Sequence, residues 1–78
     1  MMIYNINDVE RLFNTLDSCN GDVRITLQDG AEYEWHEDRK IMKSLIRGLG
    51  INAIPAMHVD VDQPLDQYKM AMHVLKGH

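Results

Sequence analysis

The sequence predicts a small α+β domain whose elements follow the order (β)αββαβα, with an antiparallel or mixed sheet and the helices on one face. Apolar and polar residues alternate on both sides of Asp29-Gly30, which is typical of a β-hairpin. Three further segments repeat their apolar residues with the period of a helix. The chain has 78 residues, so we expect one domain over residues 1–78.

Only residues 2–4 favour a first strand, and three residues are short for a central strand. With this strand, the order matches the split βαβ, ferredoxin-like arrangement plus an extra C-terminal helix. Without it, three strands carry helices on one face. Asn5 is placed to cap the following helix, with Tyr4 and Val9 in contact across its start. That helix ends at Asn20-Gly21, and its apolar face comprises Ile6, Val9, Leu12, Phe13, Leu16 and Cys19.

The hairpin has a predicted register. A two-residue turn at Asp29-Gly30 would place apolar residues of one arm opposite charged residues of the other. A three-residue loop with a left-handed Gly30 avoids this mismatch. It pairs Ile25 with Tyr33, Val23 with Trp35, Arg24 with Glu34 and Asp22 with His36. We therefore expect the aromatic side chains of the second arm to face the core and its glutamates to face water.

A second helix is predicted after the hairpin, because Glu37 and Asp38 suit the positive end of a helix. Its apolar side comprises Ile41, Met42, Leu45, Ile46 and Leu49. A basic stripe on the other side comprises Arg39, Lys40, Lys43 and Arg47. We expect the helix to stop at a left-handed Gly50, with Ile51 in contact with Ile46.

The last third of the chain predicts a connection, a strand and a helix. Pro55 forbids a helix in residues 51–55, and residues 56–61 alternate as a strand does. Asp62 is the expected cap of the last helix, and Pro64 is tolerated in its first turn. The main apolar face of this helix comprises Leu65, Tyr68, Ala71, Met72 and Leu75. Met70 and Val74 fall outside that face; either they support self-association as a homodimer or they pack under the N-terminal segment.

No pattern in the sequence predicts a catalytic, cofactor or metal site. His58, Asp60 and Asp62 share a strand face, but ligands about 6–7 Å apart need a partner from another element to hold one ion. A metal-dependent enzyme built on His58 and Asp60 is therefore the least favoured alternative. Cys19 lies on an apolar helix face, so we expect a buried thiol and not a nucleophile. One cysteine allows no internal disulfide, and it fits a reducing compartment.

The functional hypothesis rests on the net charge and on where the charged residues lie. The net charge is −4, which argues against general affinity for nucleic acids. The sheet face away from the helices is expected to carry the carboxylates of Asp22, Glu32, Glu34 and Asp60. We predict a small non-enzymatic protein-binding module, an inhibitor or accessory regulator, that docks another protein through this acidic face.

Two related expectations complete the hypothesis. Small acidic chains of this kind include accessory proteins made by phages, so we expect a location in the cytoplasm of a bacterium or of an infected host. No segment has the length and apolar composition of a membrane span. The alternative function is a nucleic-acid-binding regulator that contacts phosphates through the basic stripe of the second helix.

Overall fold

The computed structural model describes residues 1–6, 8–48 and 54–76. The elements in chain order are β1 (Met2–Ile6), α1 (Val9–Asp17), β2 (Val23–Thr26), β3 (Glu32–Glu34), α2 (Trp35–Gly48), β4 (Ile54–Val61) and α3 (Pro64–Leu75). Three helices and a four-stranded antiparallel sheet confirm the predicted α+β class. No helix in these described ranges is long and apolar enough to cross a membrane. The expected Gly50 stop, with Leu49 and Ile51, lies outside the described residues.

The strand order across the sheet is β1-β4-β2-β3. Strand β4 is antiparallel to both β1 and β2, so β1 and β2 are parallel to each other with β4 between them. By the same reasoning, β3 and β4 are parallel with β2 between them. Both α1 and α2 therefore connect strands in split βαβ units. A ferredoxin-like sheet has its first strand in the interior, whereas β1 lies at an edge, so that arrangement is not confirmed.

The hairpin has the predicted three-residue loop. Ile25 pairs with Tyr33 across the two arms, and Gly30 has a φ of 87°, in the left-handed region. The backbone N–H of Leu27 donates to the carbonyl of Ala31 at 2.9 Å and closes the loop. Turn chemistry and strand alternation are both local properties, which is why the sequence predicts this register correctly.

The second arm is shorter than predicted. Strand β3 ends at Glu34, and Trp35 is the first residue of α2, so the expected strand pairs of Trp35 and His36 do not form. The carboxylate of Glu34 accepts the N–H of Val23 at 2.9 Å. In the longer arm that the sequence predicted, a backbone carbonyl would have accepted this N–H. Trp35 is nevertheless fully buried, and Tyr33 packs against the core. The prediction that both aromatic side chains point inward is therefore confirmed.

Helix α1 begins later than predicted. Pairing of β1 with β4 continues to Ile6, so Asn5 lies within the strand and not at the start of the helix. Asp8 is the cap instead, and its carboxylate accepts the N–H of Arg11 at 3.0 Å. The longer β1 also makes the first strand a genuine part of the sheet.

The core lies between the sheet and the three helices. Its fully buried side chains include Ile3, Val23, Ile25, Met57 and Val59 from the strands, and Leu12, Phe13, Leu16, Trp35, Met42, Ile46 and Met70 from the helices. The rings of Phe13 and Trp35 stack with centroids 5.5 Å apart. On the other face of the sheet Tyr4, Arg24 and Asp60 are exposed. One face of the sheet is therefore left uncovered by helices.

The two later helices are rotated relative to the prediction. In α2, Met42 and Ile46 are buried, but Ile41 and Leu45 are exposed because the cationic side of the helix turns toward α1.

In α3 the rotation is larger, and the predicted apolar face is exposed at Leu65, Tyr68 and Leu75. Met70 is buried in the core and Val74 packs partly buried against it. Met70 is therefore not exposed, as the self-association alternative for Met70 and Val74 required. Helix α3 also begins after Gln63, so Asp62 is not its cap.

Candidate functional site

A depression of about 320 Å³ lies on the open side of the sheet, near the start of α2. It is lined by Asp22, Arg24, Glu34, Glu37, Asp60 and Asp62, and we call this group the acidic depression. The sheet register explains how it forms, because Arg24 on β2 pairs with Glu34 on β3 and with Asp60 on β4. Five carboxylates therefore surround a single guanidinium.

The structure brings together most of the carboxylates that the sequence proposed for partner binding. Asp22, Glu34 and Asp60 line the acidic depression. Glu32 pairs with Thr26 on β2 and lies outside it. Sequence analysis missed Glu37 and Asp62, because it assigned one to a helix start and the other to a helix cap. Alternation along β4 did place Asp62 on the same face as Asp60, but the pairing of β2 with β4, which brings that face beside Asp22 and the start of α2, joins distant parts of the chain and has no local signal.

Glu34 has a structural task in the depression. Its Oε1 accepts the backbone N–H groups of His36 at 2.8 Å and Glu37 at 3.1 Å. Its own N–H donates to Oδ2 of Asp38 at 3.1 Å. These bonds satisfy N–H groups at the start of α2 as a capping box does, and the bond to Val23 ties the helix to β2. A substitution of Glu34 therefore tests stability before it tests binding.

The other charged groups of the acidic depression are not committed to internal contacts. Within the described ranges, the carboxylates of Asp22, Glu37, Asp60 and Asp62 make no hydrogen bond or ion pair, and the guanidinium of Arg24 makes none either. Carboxylates in this state can bind lysine or arginine side chains of another protein without breaking a bond inside the fold. The arrangement is suited to charge recognition.

The other candidate groups show no assembled chemistry. Over residues 1–6, 8–48 and 54–76, no group of three or more His, Cys, Asp and Glu side chains is placed to hold a metal ion. His58 and Asp60 lie on β4 opposite Thr26 and Arg24. Cys19 is buried, as expected. Burial raises the pKa of its thiol, and the charge of Asp66 raises it further. A protonated, buried thiol is a poor nucleophile.

The basic stripe of α2 forms the contact with α1. Its ion pairs are those of Arg39 and Lys43 with Asp17, at 3.7 and 3.0 Å, and of Arg47 with Glu10, at 2.6 Å. The charged groups of Lys43 and Arg47 also lie over the ring of Phe13. Of the four cations, Lys40 alone makes no ion pair in the part of the chain that the structure describes. Two carboxylates, those of Asp17 and Glu10, therefore compensate part of the charge that the stripe presents to phosphates.

Comparison with known protein families, with curated proteins and with solved structures finds no match to this chain. The fold defines a small α+β protein with one open sheet face. The acidic depression on that face is its candidate functional site.

Proposed function

We propose that this chain is a small protein-binding module that docks a basic surface of another protein into the acidic depression. It acts in this way as an inhibitor or accessory regulator and not as an enzyme. One observation supports the proposal: the uncommitted carboxylates of Asp22, Glu37, Asp60 and Asp62 converge on one concave site of an uncovered sheet face.

The charges favour a protein partner over a nucleic acid. Phosphates are repelled by the acidic depression, and the cations of the basic stripe are largely paired with α1. Arg24 lies among the carboxylates, so a complementary surface presents lysine or arginine side chains around one acidic group. Opposite charges on the two surfaces would steer association and set the orientation of the complex.

The test compares two variants with the same net charge. Asp60→Asn combined with Asp62→Asn removes two charges from the depression and nearly preserves side-chain size. The matched control is Asn14→Lys combined with Gln28→Lys, which alters net charge equally at two exposed positions outside the depression. Far-UV circular dichroism verifies that both variants fold.

Wild type and both variants are immobilised and exposed to a lysate of the source cells. We expect a protein that wild type and control retain, and that the Asp60→Asn/Asp62→Asn variant loses. Retention should decrease as salt rises, because exposed charges are screened beyond about 8 Å at physiological ionic strength. The proposal fails if all three forms retain the same proteins, or if the control loses them equally.

A further inference from the structure

The outer face of α3 is apolar and exposed. Leu65, Tyr68 and Leu75 are 58%, 62% and 79% exposed, and the half-buried Met72 lies among them. Positions 65, 68, 72 and 75 have the alternating three- and four-residue spacing of a coiled-coil seam, so these side chains form one line along the helix. We call these four residues the α3 stripe.

Polar contacts on the inner side of α3 fix the stripe in its outward position. The carboxylate of Asp66 accepts the N–H groups of Asn20 and Gly21 at 3.0 and 2.8 Å. Nδ1 of His73 lies 3.0 Å from Oγ1 of Thr15, and Arg11 donates to the carbonyl of His73 at 3.2 Å. Lys69 donates to the carbonyl of Ser18. Turning the stripe inward would break these bonds and expose the buried Met70. The exposed stripe is therefore a property of how α3 docks on α1.

A groove of about 430 Å³ runs between α1 and α3 beside the stripe. Tyr68 and Met72 supply apolar surface to it, and Arg11, Lys69 and Lys76 supply positive charge, although Lys69 also lies 3.9 Å from the buried carboxylate of Asp66. None of the described residues that line it is Asp or Glu, although the whole chain has a net charge of −4. The groove is thus a cationic site on an acidic protein.

We propose that the α3 stripe and the groove bind an amphipathic helix of another protein that carries carboxylates along its edge nearest α1. An apolar seam on that helix would pack on the stripe, as in other helix-in-groove complexes, and its carboxylates would face Lys69, Lys76 and Arg11. A second copy of this chain is less complementary. In an antiparallel pair of α3 helices, Lys69 and Lys76 of one copy would face the same lysines of the other, and in a parallel pair none of the described residues of α3 would place a carboxylate opposite them.

A designed peptide tests this surface without knowledge of the natural partner. The probe has about three heptads with Leu at positions a and d and Glu at positions e and g, so that repulsion between its own glutamates prevents self-association. A second peptide has Lys in place of every Glu. We expect the Glu peptide to gain helical circular dichroism on mixing with the protein, in a salt-sensitive manner, and the Lys peptide to remain unfolded.

Two variants of the α3 surface and one control variant locate the binding site. Tyr68→Ala combined with Leu75→Ala should weaken binding of the Glu peptide by about tenfold or more, since each 1.4 kcal/mol corresponds to tenfold. Ile41→Ala combined with Leu45→Ala removes an exposed apolar pair from α2 and serves as the matched control. Lys76→Glu should weaken binding of the Glu peptide and strengthen binding of the Lys peptide.

Three results with the peptides would overturn the proposal. They are no gain of helicity with the Glu peptide, equal affinity for the Lys peptide, and equal weakening by the α2 control. Sedimentation of the protein alone tests whether a second copy of this chain occupies the stripe. A dimer that Tyr68→Ala/Leu75→Ala dissociates would assign the stripe to a second copy and overturn the proposal, whereas a monomer in every variant agrees with it.

Discussion

Asp17 links α1 to α2 over the core, and its removal should cost more than the loss of any exposed ion pair. Its Oδ1 accepts the indole N–H of Trp35 at 2.8 Å, and its Oδ2 accepts a bond from Nζ of Lys43 at 3.0 Å. Trp35 is fully buried. In Asp17→Ala, the indole N–H loses its protein partner, and only water that enters the space left by the partly exposed carboxylate can replace it.

The magnitude follows from these two contacts. A buried donor without a partner costs about 1–3 kcal/mol, and loss of a partly exposed ion pair adds about 0.2–1 kcal/mol. We expect Asp17→Ala to lower the free energy of unfolding by about 2–3 kcal/mol in total. For a domain of this size, that corresponds to a decrease in Tm of about 8–24 °C. Asp17→Asn keeps an acceptor for the indole and should cost about 1 kcal/mol or less.

A double-mutant cycle isolates the indole bond. Urea unfolding followed by far-UV circular dichroism is measured for wild type, Asp17→Ala, Trp35→Phe and the double variant. Phenylalanine has no N–H, so Asp17→Ala should cost about 1–2 kcal/mol less in the Trp35→Phe background. The control is Glu10→Ala, which removes the exposed pair with Arg47 and should cost much less than Asp17→Ala. A coupling energy near zero, or equal costs for Asp17→Ala and Glu10→Ala, would refute this reasoning.

Asp66→Asn should destabilise the fold by about 1–3 kcal/mol in urea unfolding, because its amide NH₂ would face a backbone N–H of Asn20 or Gly21. Stability should also fall as the pH drops below about 4. Burial raises the pKa of Asp66 and of Asp17, but the hydrogen bonds that both accept outweigh burial and hold each pKa below its usual value. The ionised carboxylates of Asp66 and Asp17 therefore stabilise the fold above their unfolded-state pKa, and this stabilisation is lost as the pH falls through their folded-state pKa. A Tm that stays constant down to about pH 2 would contradict this expectation. Gly30→Ala should cost about 1 kcal/mol in the same unfolding assay, since φ is 87° although no atom lies within 4 Å of the added carbon.

Local chemistry accounts for what the sequence predicted well. Hairpin register depends on strand alternation and on Gly30, and both are visible within about a dozen residues of chain. Burial of Trp35 follows from the same alternation, even though this residue belongs to α2. The position of β1 at the sheet edge depends on β4, more than 50 residues away, and no local pattern carries that information.

The rotation of α3 shows where apolar periodicity fails. The pattern correctly grouped Leu65, Tyr68 and Leu75 on one side of the helix, but it assigned that side to the core. The deciding contact is between Asp66 and Gly21, which are 45 residues apart in sequence. The buried carboxylate of Asp66 accepts two backbone N–H groups, and these bonds outweigh the gain from burying the apolar side of α3. A pattern of apolar residues carries no information about such bonds.

The acidic depression and the groove beside the α3 stripe differ in sign and belong to different layers of the molecule. Under the two proposals, a basic surface would be attracted to the depression and repelled by the groove, while an acidic helix would have the opposite preference, so the two proposed partners would be directed to different sites. The two sites share no residue. Free-energy changes from Asp60→Asn and from Leu75→Ala should therefore add to within about 0.3–0.5 kcal/mol when both partners are present. A larger deviation would mean that one bound partner contacts the other, since the sites have no lining residue through which to couple directly.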